Sequence, residues 1–207
     1  MASALKKVGG LISMAPLELF KARPLPHFIC AMYLSLRWRC FVSPDCRIYY
    51  PFNITIGRGA RLIGRVTLIA NGEIRIGSDV EIFEGAFLHC QNGSIRIGDH
   101  TAIGPNVTLY GTGGLRIGSK CSIAAKTTVV SSSHRFQRLD VPIREQGNDI
   151  KETVIEDDVW IAAGVTIAYG TTVGHGAVIG ANSFVCDDVP SMSIVAGVPA
   201  RMIRLRS

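Results

Sequence analysis

Aliphatic residues recur at every sixth position through most of the chain, and most of them are followed by a small or polar residue. This spacing fits neither the 3.6-residue period of a helix nor the alternation of a half-buried strand. A fixed short repeat predicts a solenoid, and a six-residue repeat is typical of a β-helix. The repeated positions, which we call anchors, form six triplets: Ile56, Leu62, Leu68; Ile76, Ile82, Leu88; Ile97, Ile103, Leu109; Ile117, Ile123, Val129; Ile155, Ile161, Ile167; and Val173, Ile179, Val185.

Three anchors make one triangular coil of eighteen residues, and each anchor is expected to point inward and to stack on the coils above and below. At a strand spacing of about 4.8 Å, six coils predict a prism roughly 29 Å tall. The fourth position after an anchor must fit beside a corner and is consistently small: Ala60, Val80, Ala86, Thr101, Val107, Cys121, Val159, Val165, Ala177 and Ser183. The predicted fold class is all-β, a parallel β-helix whose hand does not follow from the period.

The insertions between triplets all fall at one corner of this prism. From the last anchor of one triplet to the first anchor of the next, the steps are 8, 9, 8, 26 and 6 residues. The long step is an extended corner loop, 130–153, which contains His134 and the apolar residues Phe136, Leu139 and Ile143. Long loops in compact domains tend to be functional, and this much apolar surface predicts an arm that packs on a neighbouring coil or on a second subunit.

The composition fits one folded domain, because 47% of the 207 residues are hydrophobic and 18% are charged. We divide it into an N-terminal segment, 1–46, expected to be partly helical, and a β-helix domain, 47–207, with a C-terminal tail at 190–207. The net charge of +6 lies mainly at the two ends. No stretch interleaves aromatic residues with Lys and Arg, so a nucleic-acid partner is not expected. The six cysteines form no CxxC pair, which predicts reduced thiols in a cytoplasmic protein.

Residues 25–41, LPHFICAMYLSLRWRCF, are strongly apolar and are predicted to be helical after Pro26. They are too short for a bilayer span, which needs about 18 apolar residues or more. Two interpretations remain open at this point. The segment packs against the base of the prism, or it attaches to the surface of a membrane, where Trp and Arg are favoured.

Four stretches carry a resemblance to a known family: SSSHRF at 131–136, VIEDDVWIAAGVTI at 154–167, VGHGAVIGANSFVCDDVP at 173–190 and VAGVPARMIR at 195–204. With the hexapeptide repeat, they make the chain from about Ile54 to Arg206 similar to the left-handed β-helix, hexapeptide-repeat acyltransferases. The likeness is strongest to sugar O-acetyltransferases of the galactoside and maltose acetyltransferase and polysaccharide-biosynthesis type.

The resemblance implies a homotrimer of left-handed prisms, with acetyl-CoA lying in the grooves between subunits. It makes His134 the catalytic residue, a general base, because an attacking hydroxyl must lose its proton and imidazole is a base near neutral pH. The residues implied in cofactor binding are Trp160, Ala163, Ala181, Arg201 and Arg204. Those implied, more loosely, in acceptor binding are Asn106, Tyr110 and Thr112.

The chain also departs from the family pattern. Ala162 stands where many members have Gly, and Cys186-Asp187 stands where relatives carry Thr-Lys, which removes one expected phosphate contact. The function expected is an acetyl-CoA-dependent O-acetyltransferase acting on a sugar or glycan hydroxyl. The alternatives are an N-acetyltransferase for an amino sugar and a non-catalytic scaffold. A metal site like that of γ-class carbonic anhydrases is disfavoured, because the five histidines include no close pair.

Overall fold

The computed structural model describes residues 25–207, which form one stack of β-coils with a helix at its base. The coils contribute short strands to three parallel sheets. In stacking order, sheet A contains β1 (Phe41–Val42), β4 (Arg61–Leu62), β7 (Glu81–Ile82), β10 (Ala102–Ile103), β13 (Ser122–Ile123), β18 (Trp160–Ile161), β21 (Val178–Ile179), β23 (Ser193–Gly197) and, antiparallel at the end, β24 (Ala200–Leu205). Sheet B contains β2 (Arg47–Tyr49), β5 (Thr67–Ile69), β8 (Phe87–His89), β11 (Thr108–Tyr110), β14 (Thr128–Val130), β19 (Thr166–Ile167) and β22 (Phe184–Val185). Sheet C contains β3 (Ile54–Ile56), β6 (Glu73–Ile76), β9 (Ser94–Ile97), β12 (Leu115–Ile117), β17 (Thr153–Ile155) and β20 (Thr172–Val173).

The anchors stack as predicted. In sheet A, for example, Ile103 pairs in register with Ile82 on one side and Ile123 on the other. All eighteen anchors are at most 4% exposed, and the ten small corner positions are buried beside them. The parallel β-helix is therefore confirmed, with its core made of aliphatic columns that run the length of the stack.

The stack also includes strands that the triplets did not reveal. β1 and β2 pair in parallel with β4 and β5, and they bury Val42 and Ile48. The sequence division at residues 46 and 47 stays a prediction, and the first 24 residues of the N-terminal segment lie outside the described part of the chain.

The N-terminal helix, α1 (His27–Trp38), closes the base of the stack. It begins after Pro26 and ends where Arg39 takes the left-handed conformation, with φ of 53°. Cys30, Ala31 and Leu34 face the prism and are at most 1% exposed. Packing on the base, the first of the two interpretations of this segment, is what the structure shows. Within residues 25–207, no helix is long and apolar enough to cross a membrane.

All the insertions lie at the corner between sheets B and C, as the step lengths predicted. The long one emerges after β14 and returns at β17. It contains two short strands, β15 (Ser132–His134) and β16 (Asn148–Ile150), which pair antiparallel as a separate two-stranded ribbon. A single turn of 3₁₀-helix covers Ile143–Glu145 near its tip. We refer to residues 131–152 as the arm.

Candidate active site

Two buried hydroxyl side chains fix the root of the arm. Ser131 is fully buried, and its Oγ donates to the carbonyl of Tyr110 and accepts from the Gly113 N–H, both at 2.9 Å. At the other root, the Thr153 Oγ1 donates to the Val130 carbonyl at 2.8 Å and accepts from the Gly170 N–H at 3.0 Å. The arm therefore leaves the prism at a defined angle, because each root is tied to the coils on either side.

Polar side chains hold the rest of the arm in shape. Arg135 Nε lies 2.6 Å from a carboxylate oxygen of Asp149, across the ribbon. Near the tip, the Gln146 side-chain amide donates to the carbonyls of Arg138 and Val141, each at 2.7 Å, and its oxygen accepts from the Arg138 N–H. These contacts give the arm a fixed fold without an apolar core of its own.

The apolar side chains of the arm remain exposed. Leu139 is fully exposed, and Phe136, Ile143 and Ile150 are between 55 and 62% exposed. The first alternative for the arm, packing on a neighbouring coil of its own prism, is therefore wrong for these side chains. Its second alternative, packing on a second subunit, stays a prediction.

His134 ends the first strand of the ribbon. Its backbone is paired with Asn148, and its side chain is exposed and makes no hydrogen bond with any of residues 25–207. Ser132 and Ser133 line an open groove with a volume of about 670 Å³. The groove runs between the arm and the outer face of the last coils, past Lys151, Tyr169 and Phe184, to Asp187 and Asp188. The imidazole thus stands one residue beyond the lining of an open groove.

The residues expected to bind the cofactor lie at a different corner. Trp160 is on the outer face of sheet A, 54% exposed. Ala163 and Ala181 occupy equivalent exposed turns at the corner between sheets A and B, where the Asn182 N–H donates to the Ala163 carbonyl at 2.9 Å. About five residues of extended chain, roughly 16 Å, separate this corner from the root of the arm. Within one chain, none of these three residues lines the groove beside Ser132 and Ser133.

The two arginines expected at the nucleotide end lie on β24. Arg201 forms an ion pair with Asp187, with 3.2 Å between Nη1 and Oδ2, and both side chains are more than two-thirds exposed. Arg204 Nη1 contacts the neighbouring Leu205 carbonyl at 3.1 Å. Asp187 is one of the residues at which the sequence departs from the family pattern. Its carboxylate pairs with an arginine that was expected to contact a phosphate.

The expected acceptor residues are not all together. Asn106 is exposed in a turn between sheets A and B, with φ of 56°. Tyr110 ends β11 and Thr112 follows it, at the other edge of sheet B. The Thr112 hydroxyl donates to the Gln91 side-chain oxygen at 2.9 Å. The structure therefore groups Tyr110 and Thr112 on the side of the arm and leaves Asn106 apart.

Tyr110 belongs to an aromatic cluster that the sequence analysis missed. Its ring centroid lies 5.7 Å from that of Phe87 and 6.0 Å from that of His89, on the outer face of sheet B. Burial lowers the pKa of His89, which favours the neutral imidazole. The signal was present in the sequence, since His89 and Tyr110 each directly follow a sheet B anchor. Both therefore fall in one outward column, which continues through Val130 to the root of the arm.

The remaining chemistry of the described residues is inert. Burial raises the pKa of the Cys40 and Cys46 thiols to about 11, so both stay protonated near neutral pH. All six cysteines lie in the described part of the chain, and none of them is in a disulfide. Within residues 25–207, no group of three or more His, Cys, Asp or Glu side chains is placed to hold a metal ion.

Two family models match the chain. The bacterial transferase hexapeptide model, of six repeats, covers residues 152–187, and the hexapeptide repeat of succinyl-transferase covers residues 94–129. Both matches lie in the stacked coils, one on each side of the arm. The resemblance to the hexapeptide-repeat transferases is thereby confirmed.

Curated relatives extend the match over most of the chain. "Probable acetyltransferase Rv3034c" of Mycobacterium tuberculosis is 28% identical over 84% of this chain and 58% of its own length. The chain thus spans less than two-thirds of that relative. "Putative lipopolysaccharide biosynthesis O-acetyl transferase WbbJ" of Escherichia coli K12 is 27% identical over 82% of this chain and 77% of its own length.

A solved structure agrees with these relatives. The polySia-specific acetyltransferase NeuO superposes with a TM-score of 0.61 at 27% identity, covering 74% of this chain and 66% of its own. Fold, repeat models and relatives agree: the chain carries hexapeptide repeats like those of bacterial transferases and is similar to acyltransferases. The proteins to which the chain is similar are acetyltransferases, and they include proteins named for lipopolysaccharide and for polysialic acid.

Proposed function

We propose that the protein is an acetyl-CoA-dependent O-acetyltransferase that modifies a hydroxyl of a sugar or glycan precursor. The observation that carries this proposal is the ordered arm, on which the exposed His134 directly follows two serines that line a groove of about 670 Å³. The names of its relatives support the reaction and the substrate class, because WbbJ is named an O-acetyl transferase and NeuO is specific for a sugar polymer.

In this proposal His134 is the general base. The neutral imidazole accepts the proton of the acceptor hydroxyl as its oxygen attacks the thioester carbonyl of acetyl-CoA. The tetrahedral intermediate then collapses, the C–S bond breaks, and coenzyme A leaves as the acetyl ester forms. A positioned base contributes typically 10²–10⁴-fold to such a step.

The cofactor site that we propose is shared between two subunits of a homotrimer. Ala163 and Ala181 lie a whole sheet away from the arm of their own chain, so His134 reaches such a site only from a neighbour. The exposed apolar side chains of the arm would then be covered by the next subunit, as in a closed ring, where one surface of each subunit meets a different surface of its neighbour. Trp160 would line the groove, and Arg201 and Arg204 would face the nucleotide.

For the acceptor, we propose a platform formed by Tyr110 with Phe87 and His89. Ring faces offer apolar area with polar atoms at their edges, which suits the C–H face and hydroxyl rim of a pyranose. Thr112 lies at the same edge of sheet B, while Asn106 is left as a more distant candidate. In this proposal the protein acts in the cytoplasm, with residues 25–41 in peripheral contact with the membrane.

The direct test replaces His134 by Ala in the full chain and follows thiol release from acetyl-CoA in the presence of a panel of sugars. We expect turnover to fall about a hundredfold or more, because the hydroxyl loses its base. His175→Ala is the matched control, since His175 is also exposed but lies at another corner. Its turnover should stay unchanged.

Three outcomes would contradict the proposal. Unchanged turnover in the His134→Ala variant removes His134 from the mechanism. A product stable to mild alkali is an amide and identifies an N-acetyltransferase. No binding of coenzyme A at millimolar concentration favours the non-catalytic scaffold.

A further inference from the structure

The helix α1 is apolar on both sides. One side packs on the prism through Cys30, Ala31 and Leu34. The other side presents Leu36, Phe28 and Met32, which are 75, 59 and 57% exposed. A helix on the surface of a soluble domain normally turns polar residues outward. The outward side of α1 therefore keeps exposed apolar surface that residues 25–207 do not cover.

Aromatic and basic side chains surround this surface. Tyr33 is itself 37% exposed, and its ring lies 5.6 Å from that of Phe52 in an edge-on arrangement. At the C-terminal end of the helix, the Arg37 guanidinium lies over the Trp38 ring at 4.4 Å. We call the outward side of α1, with Tyr33, Phe52 and the arginines at 37, 39 and 47, the base patch.

The charge around the base patch is of one sign. Residues 25–53 contain three arginines and a single carboxylate, that of Asp45. Over residues 1–53 the sequence has seven Lys and Arg against two Asp and Glu, which accounts for five of the six net positive charges. The remaining 154 residues, which make up the rest of the prism and the arm, are close to neutral. Within the described residues, the base is therefore predominantly positive, through the exposed arginines at 37, 39 and 47.

We infer that the base patch docks on the surface of an anionic lipid bilayer. Leu36, Phe28 and Met32 enter the boundary between headgroups and acyl chains, and the arginines contact lipid phosphates. This is the pattern of interfacial helices, in which apolar burial and attraction to anionic lipids add together. The prism then stands away from the membrane, and the arm and its groove stay in water.

The charge of the base patch favours an anionic bilayer over a second copy of the chain as its binding partner. Two base patches facing each other would bring together the arginines at 37, 39 and 47 of both chains, and like charges in contact oppose association. An anionic bilayer offers both an apolar layer and the opposite charge. The docking is independent of the proposed acetyl transfer, so either can fail without the other.

Vesicle sedimentation with the full chain tests the inference. One set of vesicles is phosphatidylcholine alone, and the other contains about a quarter phosphatidylglycerol, which gives a negative surface. We expect binding to the anionic vesicles that is about tenfold or more stronger than to the neutral ones and that weakens as salt is added. Equal binding to both, or no binding to the anionic vesicles at low salt, would overturn the inference.

Matched serine variants locate the surface. Leu36→Ser combined with Met32→Ser should lower vesicle binding about tenfold or more, because both side chains leave the apolar boundary. Leu139→Ser is the control, since Leu139 is even more exposed but lies on the arm. Thermal unfolding of each variant shows that it is folded. Binding that survives the double change, or that Leu139→Ser reduces equally, would place the contact elsewhere and overturn the inference.

A second measurement separates the membrane from a protein partner. Light scattering without vesicles reports self-association, and thiol release with a water-soluble acceptor reports the acetyl transfer. We expect both to be unchanged by the double serine variant. A fall in molecular mass would make the base patch an interface between copies and would overturn the membrane assignment.

Discussion

The coils and the arm use apolar side chains in opposite ways. In the coils, every anchor is at most 4% exposed and is held between identical positions above and below. In the arm, the largest apolar side chains are 55 to 100% exposed, and the buried groups are hydroxyls at its two roots. The coils are thus stabilised by burial within one chain, and the arm is stabilised by hydrogen bonds between side chains and backbone.

The apolar side chains of the coils are thus needed for folding, whereas those of the arm stay available for contact with another surface. Apolar burial is the main favourable term in folding, so side chains that stay in water contribute little to the stability of one chain. Their presence in an ordered segment points to a surface that is covered on assembly. Three measurements test this difference, in order of decreasing expected effect.

The largest effect is expected in the coils. Leu109→Ala in a central strand should lower the free energy of unfolding by about 2–5 kcal/mol, because it leaves a cavity among close-packed anchors. Leu139→Ala, the same change at a fully exposed position, should alter it by no more than about 0.5 kcal/mol under conditions that keep the chain monomeric. Urea unfolding measures both, and equal losses would show that the arm packs on its own prism.

A smaller effect is expected at the root of the arm. Ser131→Ala leaves the Gly113 N–H and the Tyr110 carbonyl without their hydroxyl partner, which should cost about 1–3 kcal/mol. Ser133→Ala serves as the control, because its half-buried hydroxyl makes no side-chain hydrogen bond within residues 25–207. Amide exchange at Gly113 should rise in the first variant alone. An unchanged exchange rate there would mean that Ser131 does not hold the root.

The smallest effect is expected for the pKa values of two carboxylates, one in the coils and one in the arm, that each pair with arginine. In the coils, hydrogen bonds from Arg75 and Arg96 lower the pKa of Glu73 below its ordinary value, and in the arm Arg138 lowers that of Asp140. Because the folded state holds the charged form, this stability is present above the ordinary pKa and is lost as pH falls through the lowered one. NMR titration should find both pKa values depressed, and Arg75→Gln should raise that of Glu73. An unmoved Glu73 titration would show that the pair is absent in solution.

The coils could be predicted well from the sequence because every coil has the same packing requirement. A column of anchors needs the same residue type at the same spacing in each coil, so the positions of Ile82 and Ile123 are enough to recognise Ile103 as an anchor. The corner that takes the insertions followed from counting alone. By contrast, the arm occurs once, and nothing repeated reveals its ribbon or the bonds made by Ser131 and Gln146.

The candidate site was predicted only in part for a related reason. His134 was identified from the loss of the repeat and from the family resemblance, and the structure places it beside a groove. Asn106 was grouped with Tyr110 from the sequence, and the structure separates them, because Asn106 lies three positions after its anchor and Tyr110 only one. The Phe87 and Tyr110 rings belong to neighbouring coils. Their contact therefore depends on how insertions of different length align the turns of those coils.

The two ends of the stack bear on whether prisms can polymerise. A stack of parallel strands ends in unpaired backbone groups, which are a template for end-to-end growth into fibres. At the base, the Ser35 hydroxyl accepts the Val42 N–H at 3.1 Å, and His27 Nδ1 lies within 3.2 Å of the backbone of Ile48. At the other end, β24 reverses direction and breaks the parallel ladder after β23. In sheet A the parallel ladder is thus interrupted at both ends, which opposes end-to-end growth of the stack into a filament.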